Sequence, residues 1–190
     1  MLTSREAKLR FTSMTQILKI AQRDQLILSQ IACPVVEINH DSTQILIDSL
    51  ICTAQQANGV GIAAPQVYQS QRLFILASRP NLRYPQAPLM EPIAMINPRI
   101  LDRSTEMVKD WEGCLSVAGV RGLVPRHRLI SVEYYDRWGQ LQNQEFSDFA
   151  ARIFQHELDH LNGMLFVDRV ESPDDLYTEA AYQAIHSLVD

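Results

Sequence analysis

The sequence predicts an α+β fold, antiparallel strands packed around one central helix, and three observations predict it. Short runs rich in apolar and β-branched residues, Leu73 to Ala77, Ile93 to Ile96 and Leu129 to Tyr135, have the length of strands. The last of them ends in Asp136-Arg137-Trp138-Gly139, a turn leading back into Leu141 to Phe146, which predicts a hairpin. From a cap at Ser147 or Asp148 to Asn162 the pattern is helical instead, with Gly163 at the C′ position.

The remaining elements follow in chain order. A helix is expected from a cap at Asp41 or Ser42 to Ala57, with Ile47, Leu50, Ile51 and Ala54 at helical spacing and Asn58-Gly59 as its stop. A glycine-bearing loop, Gly59 to Gln66, comes next. Residues 79–92 carry Pro80, Pro85, Pro88 and Pro92 and read as an irregular surface loop. A C-terminal helix is expected to start at Ser172-Pro173-Asp174-Asp175, a cap followed by proline and acids in the first turn.

Composition narrows the function classes. The chain has 190 residues, 46% hydrophobic and 21% charged, which fits one globular domain. A net charge of −5 offers no basic field, so no direct nucleic-acid site is expected. No apolar run reaches the ~18 residues of a membrane span, so no membrane partner is expected. Cys33, Cys52 and Cys114 are odd in number and widely spaced, which argues against a disulfide framework. Near the N-terminus Arg5, Lys8, Arg10 and Lys19 face Glu6 alone, a charge pattern shared with organellar transit peptides. The segment is short for a transit peptide and reads as an N-terminal extension of the fold.

The chemistry lies in His156-Glu157-Leu158-Asp159-His160. On a helix, residues four apart differ by ~40° around the axis and ~6 Å along it, so both imidazoles can meet one metal ion. Glu157 then stands where a general base toward water is needed. Two core histidines beside a surface glutamate would be the ordinary alternative. The cap, the helical pattern and the stripe formed by Phe149, Ile153 and both histidines favour a metal on the buried side.

A tetrahedral catalytic site needs a third protein ligand. The downstream pattern His-Glu-x-x-His-x-x-Gly-x-x-His is met at Gly163 but fails at Phe166. Glu171 and Glu179 remain as downstream carboxylates, though nothing around either singles it out. Upstream, Glu112-Gly113-Cys114-Leu115-Ser116 sets a cysteine after a glycine in a loop-like context. Cys52 falls inside the first helix and Cys33 precedes Pro34. A lone cysteine is more often a small buried hydrophobe. Beside a two-histidine helix that lacks a ligand, Cys114 becomes the preferred candidate.

Three blocks, Gly59-Val60-Gly61-Ile62-Ala63-Ala64-Pro65-Gln66, Glu112 to Ser116, and Gln155 to His160, resemble the signature motifs of the peptide deformylase family, in the family's order. The resemblance runs from Ile20 to Val170 and includes Ile96-Asn97-Pro98 and the hairpin. It implies a metal-dependent hydrolase that removes the formyl group from the N-terminal formyl-methionine of nascent polypeptides and releases formate. Cys114, His156 and His160 would hold one divalent ion, Fe²⁺ by family habit, with Ni²⁺, Co²⁺ or Zn²⁺ accepted. Glu157 would act as base and then acid, with the Gln66 side-chain amide and the Leu115 backbone N–H as oxyanion donors. Val60, Gly61 and Gly113 would line the peptide groove, Ile153 and Phe149 the methionine pocket, and Arg121 the groove mouth.

By the same resemblance the partners are formyl-methionyl nascent peptides and the ribosome near its exit tunnel. A bacterial cytoplasm is the expected location, with an organelle as the alternative. Residues 1–19 fall outside the likeness as an extension, and 20–190 form a single catalytic domain that includes the C-terminal helix. Arg152, where some members have an aliphatic residue, implies a more polar pocket rim. Pro65, Ala118 and Asp24-Gln25-Leu26, which lacks a familiar proline, also depart from the pattern. Two rivals remain: a zinc peptidase with a downstream acid, and a catalytically silent fold kept as a binding module.

Overall fold

The computed structural model describes residues 15–81 and 84–186. Helix α1, Asp41–Gln56, starts one residue from the expected cap: the His40 ring accepts the Ser42 N–H at 3.2 Å. It ends as expected, with Asn58 turning at φ 51°. Of the expected N-terminal extension, residues 1–14 lie outside the described residues. Residues 15–19 run along α1, where the Leu18 N–H donates to Thr53 Oγ1 at 2.9 Å.

Strands β1 (Gly61–Ala63), β2 (Leu73–Leu76), β3 (Ile93–Arg103), β6 (Leu129–Tyr135) and β7 (Leu141–Ser147) form one antiparallel sheet in the order β1-β2-β3-β6-β7. A second sheet has the order β4-β5-β8, from Met107–Cys114, Val117–His127 and Leu176–Thr178. Helix α2, Asp148–Leu161, packs against strands of both sheets. The short C-terminal helix α3, Glu179–His186, packs on β5 and β8. The α+β architecture with antiparallel sheets is therefore as the sequence predicts, and no described helix is long and apolar enough to cross a membrane.

All four residues of β2 are buried, because the strand is covered on both faces. Phe74 and Leu76 share a cluster with Ile153, Phe154 and Leu161 of α2. Leu73 and Ile75 meet Ile47, Leu50 and Ala54 of α1. Phe74 and Phe154 meet edge to face at 5.2 Å, a geometry that adds ~0.5–1.5 kcal/mol to the burial. The ladder of β3 and β6 shifts register between Ile96 and Arg99. There Asn97 leaves the strand region at φ 51° and its amide pairs with both backbone groups of Val35, each at 2.9 Å.

Three parts of the chain read differently from their sequence. The hairpin β4–β5 carries Lys109, Asp110 and Glu112 in one strand and Gly119, Gly122 and Pro125 in the other. Its outer half is exposed, so no alternating apolar pattern announces it. At the C-terminus Ser172 does cap, with Oγ accepting the Asp174 N–H at 3.2 Å, but only one 3₁₀ turn follows. Pairing of Val120, Arg121 and Gly122 with Thr178, Tyr177 and Leu176 then takes over, and α3 begins at Glu179. The proline-rich loop is irregular but partly buried: Ser78 Oγ donates to the Pro88 carbonyl at 2.6 Å and Ala87 is buried.

Candidate metal centre and pocket

His156 and His160 lie one turn apart on α2, their ring centroids separated by 5.1 Å. Cys114, the last residue of β4, brings its Sγ to 3.3 Å from His160 Nε2. One donor atom from each of these three residues lies within 4.8 Å of the other two. Cys114 and His160 are buried, and His156 keeps only a small opening.

The donor set suits a divalent ion. His156 Nδ1 donates to Glu112 Oε2 at 2.8 Å, which leaves Nε2 as the lone-pair nitrogen. Cys114 Sγ accepts the Ser116 N–H at 3.4 Å and a Gln66 amide hydrogen at 3.3 Å. Burial opposes ionisation of Cys114, but the His160 and His156 rings outweigh it and hold the thiol well below its usual range. The thiolate is the form that binds metals. One thiolate and two imidazoles fit Zn²⁺, Fe²⁺, Co²⁺ and Ni²⁺ alike.

Glu112 anchors this arrangement. Burial resists its charge, but Arg126, bonded at 2.9 and 3.0 Å, and His156 hold the carboxyl well below the usual carboxylate range. Arg126 reaches on to Asp159 at 2.6 Å, and Arg169 grips the other oxygen of Asp159 at 2.6 Å. Burial disfavours the charged His156 ring, yet Cys114 and Glu112 raise its pKa well above the ordinary imidazole value.

Glu157 faces the same pocket. Burial pushes its carboxyl up to about 7, and Oε2 has no hydrogen-bond partner among the described residues. A Cβ on Gly61 would collide with Glu157 Oε1, so glycine at 61 makes room for this carboxylate. Gly113 does the same for Arg121, whose Nη1 would lie 2.9 Å from an added Cβ. Gln66 is oriented from behind: its Oε1 accepts the Ala63 N–H at 2.8 Å, so Nε2 points to Cys114 Sγ and Ser116 Oγ. Val60, Gly61, Gly113, Leu115 and Ile153 all line the pocket with these groups.

Other expectations change. Arg121, expected at the groove mouth, is 1% exposed, lies beside Gly113 and is paired with Glu179 at 2.8 Å. Glu171 pairs with Lys109 at 3.3 Å, and neither downstream acid joins the histidines. Arg152 lines the pocket wall but spends its guanidinium inward, on Glu112 at 2.9 Å and on the carbonyls of Val108, Asp110 and Val124. Phe166, standing where a third histidine was sought, stacks on the His156 ring at 6.2 Å. Sequence reasoning gave no role to Tyr84, whose hydroxyl accepts the Gly113 N–H at 3.2 Å and whose ring lines the pocket. An aromatic residue inside a proline-rich stretch was the one available signal.

Comparison with known proteins shows the family. The family model described as polypeptide deformylase matches residues 16–175. Peptide deformylase 2 of Nostoc sp. (strain PCC 7120) is 61% identical over 170 residues, 90% of this chain and 95% of the relative. Peptide deformylase 2 of Shewanella oneidensis is 46% identical over 157 residues, 83% of this chain and 86% of the relative. The crystal structure of a class I type b peptide deformylase from Acinetobacter baumannii, bound to Met-Ala-Ser, superposes with a TM-score of 0.80 at 49% identity. That match covers 82% of this chain and 99% of the other. The chain belongs to the peptide deformylase family, enzymes that remove the formyl group from the N-terminus of nascent polypeptides.

Proposed function

We propose that Cys114, His156 and His160 hold one divalent ion, Fe²⁺ in the cell, and that the pocket beside it hydrolyses formyl-methionyl peptides. The observation that carries this reading is three metal-type donors within 4.8 Å, two of them from residues that line the pocket, beside a buried Glu157 Oε2 with no partner among the described residues. Ni²⁺, Co²⁺ or Zn²⁺ would occupy the same donors. A bound ion supplies Lewis-acid polarisation of the formyl oxygen and makes water a nucleophile near neutral pH.

The chain's own residues supply the rest. Glu157 takes the proton of the attacking water and returns it to the departing amine, so that formate and a free N-terminus leave. The Gln66 amide, its oxygen already committed to Ala63, and the Leu115 N–H take the charge that grows on the formyl oxygen. Ile153 and Phe149 receive the methionine side chain, while Val60, Gly61 and Gly113 line the path of the peptide backbone. The Met-Ala-Ser bound by the Acinetobacter relative supports a methionyl peptide as the class of ligand.

Residues 20–190 act as one catalytic domain, with 1–19 as an extension. The substrate being nascent, the enzyme meets it at the ribosome near the exit tunnel, in a bacterial cytoplasm rather than an organelle; the bacterial relatives support that location. The test is formate release from formyl-Met-Ala-Ser by anaerobically prepared, iron-loaded protein. Glu157→Gln should abolish release while the metal content stays at one per chain. Full activity in that variant would sink the assignment of the proton carrier.

A further inference from the structure

We infer that Tyr84 is a specificity-determining wall of the methionine pocket, held there by the C-terminal unit β8–α3 through Glu179 and Arg121. This rests on the functional reading above and adds to it residues that lie outside the three sequence motifs. Tyr84 comes from the proline-rich loop, yet it is fixed from three directions. Its hydroxyl accepts the Gly113 N–H at 3.2 Å. Its ring meets Phe149 at 5.2 Å, where Phe149 lines the pocket beside Ile153. On a third side the Arg121 guanidinium carbon stands 5.5 Å from the ring centroid.

Arg121 cannot hold that position alone, because it is a buried cation with Nη1 unpartnered among the described residues. Its remaining nitrogens are clamped by Glu179, Nε to Oε2 at 2.8 Å and Nη2 to Oε1 at 3.2 Å. Tyr182 adds a second ring, its centroid 4.7 Å from the guanidinium carbon. The guanidinium thus meets two aromatic faces, Tyr84 and Tyr182, with one carboxylate fixing its plane. Trp111 of β4 meets Tyr177 and Tyr182, each at 4.9 Å, and ties the unit to the sheet.

The family match ends at residue 175, and β8 begins at Leu176. Gly113, Phe149 and Arg121, which touch Tyr84, lie within that match, whereas Glu179 and Tyr182, which hold Arg121, come from the segment beyond it. A chain of contacts runs from Glu179 to Arg121, to Tyr84, and to Gly113 and Phe149 in the pocket. Removing the Tyr84 ring, or loosening the contacts from Glu179 through Arg121 that hold it, opens the pocket end, which should admit larger first residues and weaken the hold on methionine.

The experiment is steady-state formate release from formyl-Met-Ala-Ser and formyl-Phe-Ala-Ser by the full, metal-loaded chain. Tyr84→Ala should raise KM for the methionine peptide about tenfold, the scale of a lost pocket contact, with the loss in KM rather than kcat. The preference for methionine over phenylalanine in kcat/KM should narrow. Glu179→Gln should shift both quantities in the same direction by a smaller factor, and Tyr84→Phe, which keeps the ring, should retain the preference. A purely structural C-terminal unit would lower the active fraction and so kcat alone; that result overturns the inference. An active wild type whose Tyr84→Ala and Glu179→Gln variants keep its KM and preference overturns it as well. Absence of formate release from the wild type would overturn the functional reading first, and this inference with it.

Discussion

Gly61→Ala is a test of how tightly the fold positions Glu157. Gly61 sits on β1, paired to Leu76 of β2, and its backbone conformation is one that alanine adopts without strain. The added methyl would lie 2.9 Å from Glu157 Cδ and 3.0 Å from Cγ, with Oε1 closer still. Ordinary contact starts at 3.4 Å, so the carboxylate oxygen must withdraw by about one ångström, because the paired and buried strand has no room to do so. A displacement of 1 Å in a reacting group can cost ~100-fold in rate, so the prediction is about a hundredfold fall in kcat, or ~2.7 kcal/mol. Alanine at a compatible backbone position stabilises slightly, by ~0.4–1 kcal/mol, through the unfolded chain. The expected signature is lower kcat in the formate-release assay with the thermal midpoint not lowered and the metal content unchanged. A Gly61→Ala enzyme with wild-type kcat would show that Glu157 has no fixed place in the reaction.

Three further outcomes are expected. Glu112→Gln leaves Arg126 and Arg152 without their carboxylate and should cost ~3–5 kcal/mol in urea unfolding at pH 7.5. Because the fold lowers the Glu112 pKa from 4.5, its contribution is complete above that pH and lost as pH falls below it, so the gap between variant and wild type should narrow in acid. Gln66→Ala should reduce kcat by ~100- to 1000-fold, the usual effect of losing one oxyanion donor, with KM little changed. Stripping the ion with a chelator should lower the thermal midpoint by ~10 °C, since a ligand at a thousand times its Kd adds ~4 kcal/mol and each kcal/mol moves a chain of this size by 2–4 °C; an unchanged midpoint would mean that no ion binds the folded state.

Local signals were enough for the elements that bury one clear stripe. Helix α2, the β6–β7 hairpin and β2 follow their sequence because spacing, caps and turn residues agree. The β4–β5 hairpin was illegible because its pairs are charged or glycine-bearing, and its stability comes from partners distant in sequence. Within the site the same division holds. The histidines and Glu157 announce themselves by helical spacing, whereas Tyr84 reaches the pocket only through a folded loop. Arg121 and Glu179 are 58 residues apart, and no periodicity links them. Gly61 and Gly113 line the pocket, and the space a Cβ would take at each is filled by Glu157 and Arg121, a role for glycine that no local spacing announces.

The metal helix and the cysteine strand fit together for a geometric reason that neither motif states alone. Residues two apart on a strand lie on one face, ~6.6 Å apart along the chain. Residues four apart on a helix lie on one face with a rise of ~6 Å. β4 therefore presents Glu112 and Cys114 at nearly the repeat at which α2 presents His156 and His160. The result is two rungs: Glu112 Oε2 meets His156 Nδ1 at 2.8 Å, and Cys114 Sγ meets His160 Nε2 at 3.3 Å. Gly113, between the two rungs, faces the other way and carries no side chain, which leaves that side to Arg121. Arg126 bridges Glu112 to Asp159, locking the strand to the helix by a third contact. The spacing Glu-x-Cys on the strand is thus as necessary as His-x-x-x-His on the helix, since sliding either by one residue would turn a ligand or its orienting carboxylate away.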